Sequence, residues 1–378
     1  MIKVQTYHQI DKQQWKDLIQ SSPTATWFQT SEAYQFYASV NEMIPFAVGV
    51  EEASPKSSPK GKDLLKGVVV GYMTQEKNLI KQLLTCRAII IGGPLLADDI
   101  SEEALTVLLE AIRRIGERAP HEVTNSVGDP AKAKGKETSE AVKPAFTQPE
   151  GRLHPTPIYV EIRNFHDYSR WKQVFTQNGF AYQPHLNFHV DTTTTEIIEA
   201  NLGKSRKRDI KTSLRDGATI VEKPTIDQVR TYYVLLKHLY MTKIKTPLFA
   251  FDFFENLYNH PNGHFVLIEK DNEIIGGTVC VELPNRCLYE WFVCGRDGEW
   301  KSIFPSSLAT YAGICYAEKQ HCTRFDMMGA GTPDEAYGVR DFKARFGGEL
   351  VEYGRFLCIR KPLLYKIGKL GVKILKKV

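Results

Sequence analysis

The chain has 378 residues, 42% hydrophobic and 25% charged, with 49 basic against 44 acidic residues and a formal net charge of +5. That length suggests two domains, and the apolar fraction is enough for real cores. The small charge excess does not make a nucleic-acid binder by itself, so where the cations sit matters more than their number.

At the start, "IKVQTY" reads as a strand and "DKQQWKDLIQSS" as a helix with Trp15, Leu18 and Ile19 on one face. "TSEAYQFYASV" predicts a second helix capped by Thr30 or Ser31. "PFAVGVEE" and "GVVVGYMTQ" read as paired strands joined by the Pro/Ser/Lys-rich "ASPKSSPKGKD". "RAIIIGGPLL" predicts a buried strand ending at a Gly-Gly-Pro turn. "SEEALTVLLEAIRRIGERA" predicts an amphipathic helix with Ser101 as its cap. Residues 126–157 lack apolar periodicity and read as a long mobile loop.

The pattern then restarts. "PIYVEIRN" reads as a strand, "YSRWKQVFTQNG" as a helix ended by Gly179, and "QPHLNFHVDT" as a strand. "TEIIEANLGKSRKRDIKTSLRDG" predicts one long basic helix, and "ATIVEK" a strand. Two helices follow, in "IDQVRTYYVLLKHLYMTK" and "FDFFENLYNH". "GHFVLIEKD", "EIIGGTVCVEL" and "RCLYEWFVCG" predict three strands with turns at Asn272 and Pro284–Asn285. "SSLATYAGICYAEKQH" reads as a helix and "RFDMMG" as a short strand. The two halves share a strand and helix order, which points to two related α+β modules of mixed sheets flanked by helices.

Seven cysteines, an odd number with no C-x-x-C pair, read as free thiols of a reducing compartment. No H-E-x-x-H, G-x-S-x-G or P-loop occurs, so no metal site or conventional catalytic triad is expected. The polar start has no signal-peptide core, and no apolar run approaches the ~20 residues of a membrane span, which predicts a cytoplasmic protein.

Three basic features invite function. The helix bearing Arg206, Arg208 and Lys211 is either a solvated face or a clamp for phosphates. Lys243 and Lys245 in "MTKIKTP" are further candidates for binding an anionic substrate. At the end, "KPLLYKIGKLGVKILKKV" puts leucines and isoleucines on one helical face and lysines on the other. Residues 361–378 therefore either pack on their own domain or lie on an anionic membrane surface. The pyrophosphate loop of acyl-CoA enzymes, Q/R-x-x-G-x-G/A, has no strict match; "RRIGERA" lies inside a helix and puts Arg118 at the small-residue position.

"YVEIRN", "NGFAYQPHLNFHVD", "GKSRKRDIKTSLRDGATI", "FDMMGAGTP" and "GVRDFKARFGGELVEY", in this order, resemble the Fem-type (FemABX) aminoacyltransferases that build peptidoglycan bridges. The resemblance implies two tandem GNAT-like domains without the coiled-coil arm of larger members. The first would span residues 1–165, with loops near 52–66 and 126–157, and be completed by 355–378. The second would span 166–354. It implies an aminoacyl-tRNA donor, no bound cofactor, and a UDP-linked or lipid-linked peptidoglycan precursor whose stem-peptide amine is the acceptor. In the F-K-x-x-F-G motif it assigns Lys343, with Phe342 beside it, to the acyl-transfer channel. A fixed ammonium there would stabilise charge developing on the attacked ester. Two other readings stand beside this one: an acyl-CoA-dependent N-acyltransferase, and a non-catalytic binder of anionic lipid or RNA.

Overall fold

The computed structural model describes residues 2–53, 63–117 and 156–375, with side chains to residue 371. The expected loops near 52–66 and 126–157 therefore fall largely outside the described residues.

Strand β1 (Ile2–Thr6) leads to helix α1 (Lys12–Ser21), whose first amides are capped by Asp11. Helix α2 (Ser31–Ser39) starts at Thr30, whose hydroxyl accepts from Ala33 N at 3.2 Å. The hairpin β2 (Met43–Glu52) and β3 (Leu64–Thr74) is followed by a short helix α3 (Leu79–Thr85), then β4 (Ala88–Gly92) and β5 (Leu95–Leu96). Helix α4 (Glu102–Arg113) has Ser101 as its cap, and Leu105, Leu108, Leu109 and Ile112 are buried beneath it. Beyond the undescribed stretch come β6 (Tyr159–Asn164), α5 (Lys172–Gln177) and β7 (Ala181–Gln183).

The second half opens with β8 (Leu186–Asp191), α6 (Thr195–Asn201) and α7 (Lys204–Arg215). The single long helix expected here is broken at Gly203, whose N–H donates to Arg345 O at 3.0 Å; a Cβ there would stand 3.1 Å from that oxygen. Next come β9 (Thr219–Val221), α8 (Ile226–Leu239) and α9 (Phe251–Tyr258). The meander β10 (Gly263–Lys270), β11 (Glu273–Leu283) and β12 (Cys287–Gly295) turns at Asp271–Asn272 and at Asn285, all with positive φ. The chain continues through α10 (Pro305–Lys319), β13 (Arg324–Asp326), α11 (Gly338–Ala344), β14 (Glu349–Glu352), β15 (Arg355–Ile359) and α12 (Pro362–Leu375).

Two mixed sheets result. The first runs β1-β2-β3-β4-β6-β15-β7, with β5 on β3; the second runs β14-β8-β13-β12-β11-β10-β9. Each contains one parallel junction, β4 with β6 and β12 with β13, among otherwise antiparallel pairs. Sheet membership moves the boundary expected at 165/166. Val174 and Phe175 of α5 lie in the core under the first sheet, and β7 pairs with β15, so the chain leaves that sheet only after Gln183. β15 sits between β6 and β7, pairing Arg355 with Arg163 across nearly two hundred residues of chain.

Helices α4 and α5 cover one face of the first sheet; α6, α7 and α10 cover one face of the second. Between the sheets a continuous apolar cluster joins α1 and α2 to α8, α9 and the β10–β12 meander. Its centre is aromatic. Trp27 packs edge-on against Phe36, His260 and Trp291, with ring centroids 5.5–6.3 Å apart, and Phe28 packs on Tyr289 at 5.2 Å. Asn256 Nδ2 donates to Ser39 O at 2.8 Å and Asn41 Nδ2 to Asp252 Oδ2 at 2.9 Å across the same seam. No disulfide joins the seven cysteines, and six of them are buried.

On α12, Leu363, Ile367 and Leu370 are exposed, while Leu364 and Tyr365 are half-buried. The packing alternative therefore does not describe this helix's main apolar row. The side chains beyond residue 371, including Lys373 and Ile374, lie outside the described residues. Among the described residues no helix is long and apolar enough to cross a membrane.

Candidate active site

Strands β12 and β13 pair in parallel only from Cys287–Arg324 to Tyr289–Asp326. Past that point β12 continues to Gly295, whereas β13 ends and the chain turns through Met327, Met328 and Gly329, the last two with φ of +53° and +111°. Parallel strands that part leave carbonyls without ladder partners, and buried carbonyls need donors. Lys343 supplies them. Its Nζ donates to Met327 O and, at 2.8 Å, to Gly329 O. Only 7% of the residue is exposed. Lys343 lies in the last turn of helix α11, so the F-K-x-x-F-G motif is a helix end.

Two buried carboxyl groups share this opening. Cys280 opposes Glu290 but Val279 opposes Phe292, so Trp291 is an extra residue in β12. The bulge lets Trp291 and Phe292 both join the aromatic seam while Glu290 faces α10, where Thr310 Oγ1 donates to its Oε1 at 2.9 Å. Its Oε2 is buried without a hydrogen-bond partner among the described residues. Burial raises the Glu290 pKa, against the pull of the Lys343 charge. Burial likewise lowers that of Lys343, against the pull of Glu290 and Asp326. Asp326 is better provided for. Asn187 Nδ2 and Met328 N each donate to Oδ1 at 2.7 Å, and His189 Nε2 stands 3.1 Å from Oδ2. Burial pushes its pKa up, but these partners hold it below the usual value.

The Met327–Gly329 turn has a second side. Met328 and Gly329 line a cavity of about 50 Å³ at the domain seam. Both crossings between sheets pass here, β7 to β8 through His185 and β14 to β15 through Tyr353 and Gly354. Arg163 and Arg355 clamp Glu161 at 2.9 and 2.7 Å, and Arg355 also donates to His185 Nε2 at 2.8 Å. That bond makes Nε2 an acceptor, so His185 is neutral. Burial, then the Arg355 charge, lowers its pKa to about 3. Asn164 Oδ1 and Arg355 Nε are buried at the same cavity without hydrogen-bond partners among the described residues.

The clamp on Glu161 gives a pH prediction. Burial works against its charge, but the two guanidiniums hold its pKa at about 2, below the ordinary 4.5. The stabilisation is complete above pH 4.5 and is lost as the pH falls towards 2; the shift corresponds to about 3 kcal/mol. Glu161→Gln should therefore lower the melting temperature at pH 7 and narrow its gap to wild type at pH 3. An equal gap at both pH values would contradict the clamp.

The other expected residues scatter. Phe342 is half-buried and meets Phe346 edge-on at 5.3 Å. The Arg206 guanidinium lies 4.4 and 5.0 Å from their ring centroids, beside Asp209 at 3.3 Å, and only 5% of the residue is exposed. Arg206 thus ties α7 to α11, and its charge is used internally rather than on a clamp surface. Arg208 and Lys211 are exposed on the outer side of α7. Lys243 and Lys245 are exposed just past α8, which packs on the opposite face of the second sheet from α7. The fold does not bring these two pairs together. Reading from sequence passed over Glu161, Arg163, His185, Asn187, His189, Glu290, Asp326 and Arg355. Their signal was charged and polar residues inside apolar strands, as in "LNFHVD" and "CLYEWFV".

Residues 262–373, which include Glu290, Asp326 and Lys343, match the model of the FemAB family. No curated protein matches the chain in sequence. In fold, the chain is similar to the crystal structure of FemX, with a TM-score of 0.62 at 12% identity over 95% of this chain and 98% of that one. It is also similar to a tandem GNAT protein of the clavulanic acid biosynthesis pathway, TM-score 0.52 at 9% identity over 94% and 98%. A third likeness is the C-terminal domain of a putative lysylphosphatidylglycerol synthetase from Agrobacterium fabrum, TM-score 0.51 at 10% identity over 95% of each chain. The chain has the tandem GNAT-like fold, with no long coiled-coil arm among the described residues.

Proposed function

We propose that the chain moves an aminoacyl group from aminoacyl-tRNA to the stem-peptide amine of a peptidoglycan precursor, UDP-linked or lipid-linked. The observation that carries the reading is Lys343, held by two carbonyls where β12 and β13 part, inside the segment that matches the FemAB model. The acceptor nitrogen attacks the ester carbonyl, the C–N bond forms, and the C–O bond to the ribose breaks. The amine loses a proton and the ribose oxygen gains one. The Lys343 ammonium offsets negative charge on the attacked oxygen. No cofactor is needed, because the tRNA ester is already activated. The cavity of about 50 Å³ is too small for either substrate, so turnover requires the Met327–Gly329 turn or the domain seam to open.

The test is transfer by purified protein from charged tRNA to a UDP-linked muramyl pentapeptide, with muropeptide masses of a deletion strain as the cellular counterpart. Transfer from acyl-CoA, with unchanged muropeptides, would replace this reading by the acyl-CoA one. Affinity for RNA or lipid without any turnover would leave a binder. The exposed face of α7 is the proposed contact for tRNA phosphates. Arg208→Glu with Lys211→Glu should weaken tRNA binding and reduce its log–log salt slope by about 2. An unchanged slope would make that face merely solvated.

A further inference from the structure

Helix α3 is turned inside out. Its one buried side chain is polar: Gln82 accepts from Glu76 N and donates to Thr74 O at 2.9 Å, which locks the helix to the end of β3. Its apolar residues Leu79, Ile80, Leu83 and Leu84 are 52–70% exposed. A helix folded for its own domain would bury that face.

Helix α12 has the same defect at the same end of the first sheet. Ile158 N donates to Cys86 O at 2.8 Å, just past α3, and Arg360 N and Lys361 N donate to Ile158 O at 2.9 and 3.0 Å, just before α12. Tyr365 packs edge-on against Tyr159 at 5.5 Å and holds the helix there. Leu363, Ile367 and Leu370 are left 58–72% exposed. The two unpartnered apolar rows thus flank one sheet end.

Apart from Glu76, which pairs with Lys81 at 2.8 Å, the charge around them is positive. Residues 77–87 and 360–378 contain no Asp or Glu. Lys77, Lys81, Arg87, Lys366 and Lys369 are exposed on or beside the two helices. Protein interfaces favour aromatics and are depleted in lysine. Leucine and isoleucine ringed by lysine suit an anionic bilayer, where the apolar chains enter the headgroup region and the ammoniums meet phosphate.

We infer that α3 and α12 together form a docking face for an anionic phospholipid surface. The inference does not depend on the acceptor being lipid-linked. A soluble substrate would leave the face intact, and transfer in solution is a separate measurement.

Full-length protein is sedimented with vesicles of phosphatidylcholine alone, or of phosphatidylcholine and phosphatidylglycerol at 1:1. Binding is expected only to the second kind, reversed by 0.5 M salt. Leu83→Glu with Leu84→Glu, and separately Ile367→Glu, should each reduce it tenfold or more. These residues are exposed, so melting should be unchanged. Equal binding to both vesicle types, no binding, or variants that bind like wild type would overturn the inference. So would a dimer in solution that the same variants dissociate, because the face would then belong to a second copy.

Discussion

Lys343→Met is expected to reduce transfer by about a hundred-fold or more and to lower stability as well. The first effect is the loss of a charge contact on the transition state, which costs roughly 3–4 kcal/mol where such groups have been removed from other enzymes. The second follows from the surroundings. Methionine fills the space but leaves Met327 O and Gly329 O without their donor, and leaves Glu290 and Asp326 without a neighbouring cation. Removing one partner of a buried charge group typically costs about 3–5 kcal/mol. A stable, inactive variant is therefore not to be expected from the single change, and activity alone would not separate the two roles. Lys343→Met with Glu290→Gln should separate them. The amide keeps the bond from Thr310 while removing the uncompensated carboxylate, so melting should recover towards wild type while transfer stays lost. Wild-type turnover in either variant would sink the catalytic assignment. Recovery of activity along with stability would make Lys343 a packing residue.

The second large effect is expected at the domain seam. Trp27 is 1% exposed and touches Phe28 and Phe36 of its own domain and His260 and Trp291 of the other. Trp27→Ala removes that bridge, at a cost of about 3–5 kcal/mol for a large aromatic truncation. At ~2–4 °C per kcal/mol for a protein of this size class, melting should fall by roughly 10 °C. Wild type should unfold in one transition monitored by both aromatic fluorescence and circular dichroism, since one apolar cluster serves both sheets. The two probes should come apart in the variant. A shift of a degree or two with coincident probes would mean that the seam contributes little to coupling the domains.

Local chemistry was enough for some elements. Capping oxygens at Thr30 and Ser101 before apolar residues at helical spacing placed α2 and α4, and apolar runs between Asn-containing turns placed the β10–β12 meander. These signals act within a few residues, so a sequence carries them whole. The order of elements and the run of Fem-like motifs also pointed to the tandem fold, and the motifs supplied Lys343 as the residue now proposed for transfer.

Other features depend on partners far away in the chain. β15 pairs with β6 and β7 although the whole second sheet lies between them in the chain, and with β7 in the first sheet the boundary lies after Gln183 and not at 165. Helix α3 was missed because its apolar residues face outward, and no burial pattern marks a helix that stores its hydrophobic face for something else. The basic run around Arg206 looked uniform, yet the crossing of α7 and α11 buries Arg206 between two phenylalanines and leaves Arg208 in water. The site itself is a tertiary product. Glu290, Asp326 and Lys343 come from two strands and a helix, and they meet because parallel strands that part must satisfy their carbonyls from elsewhere.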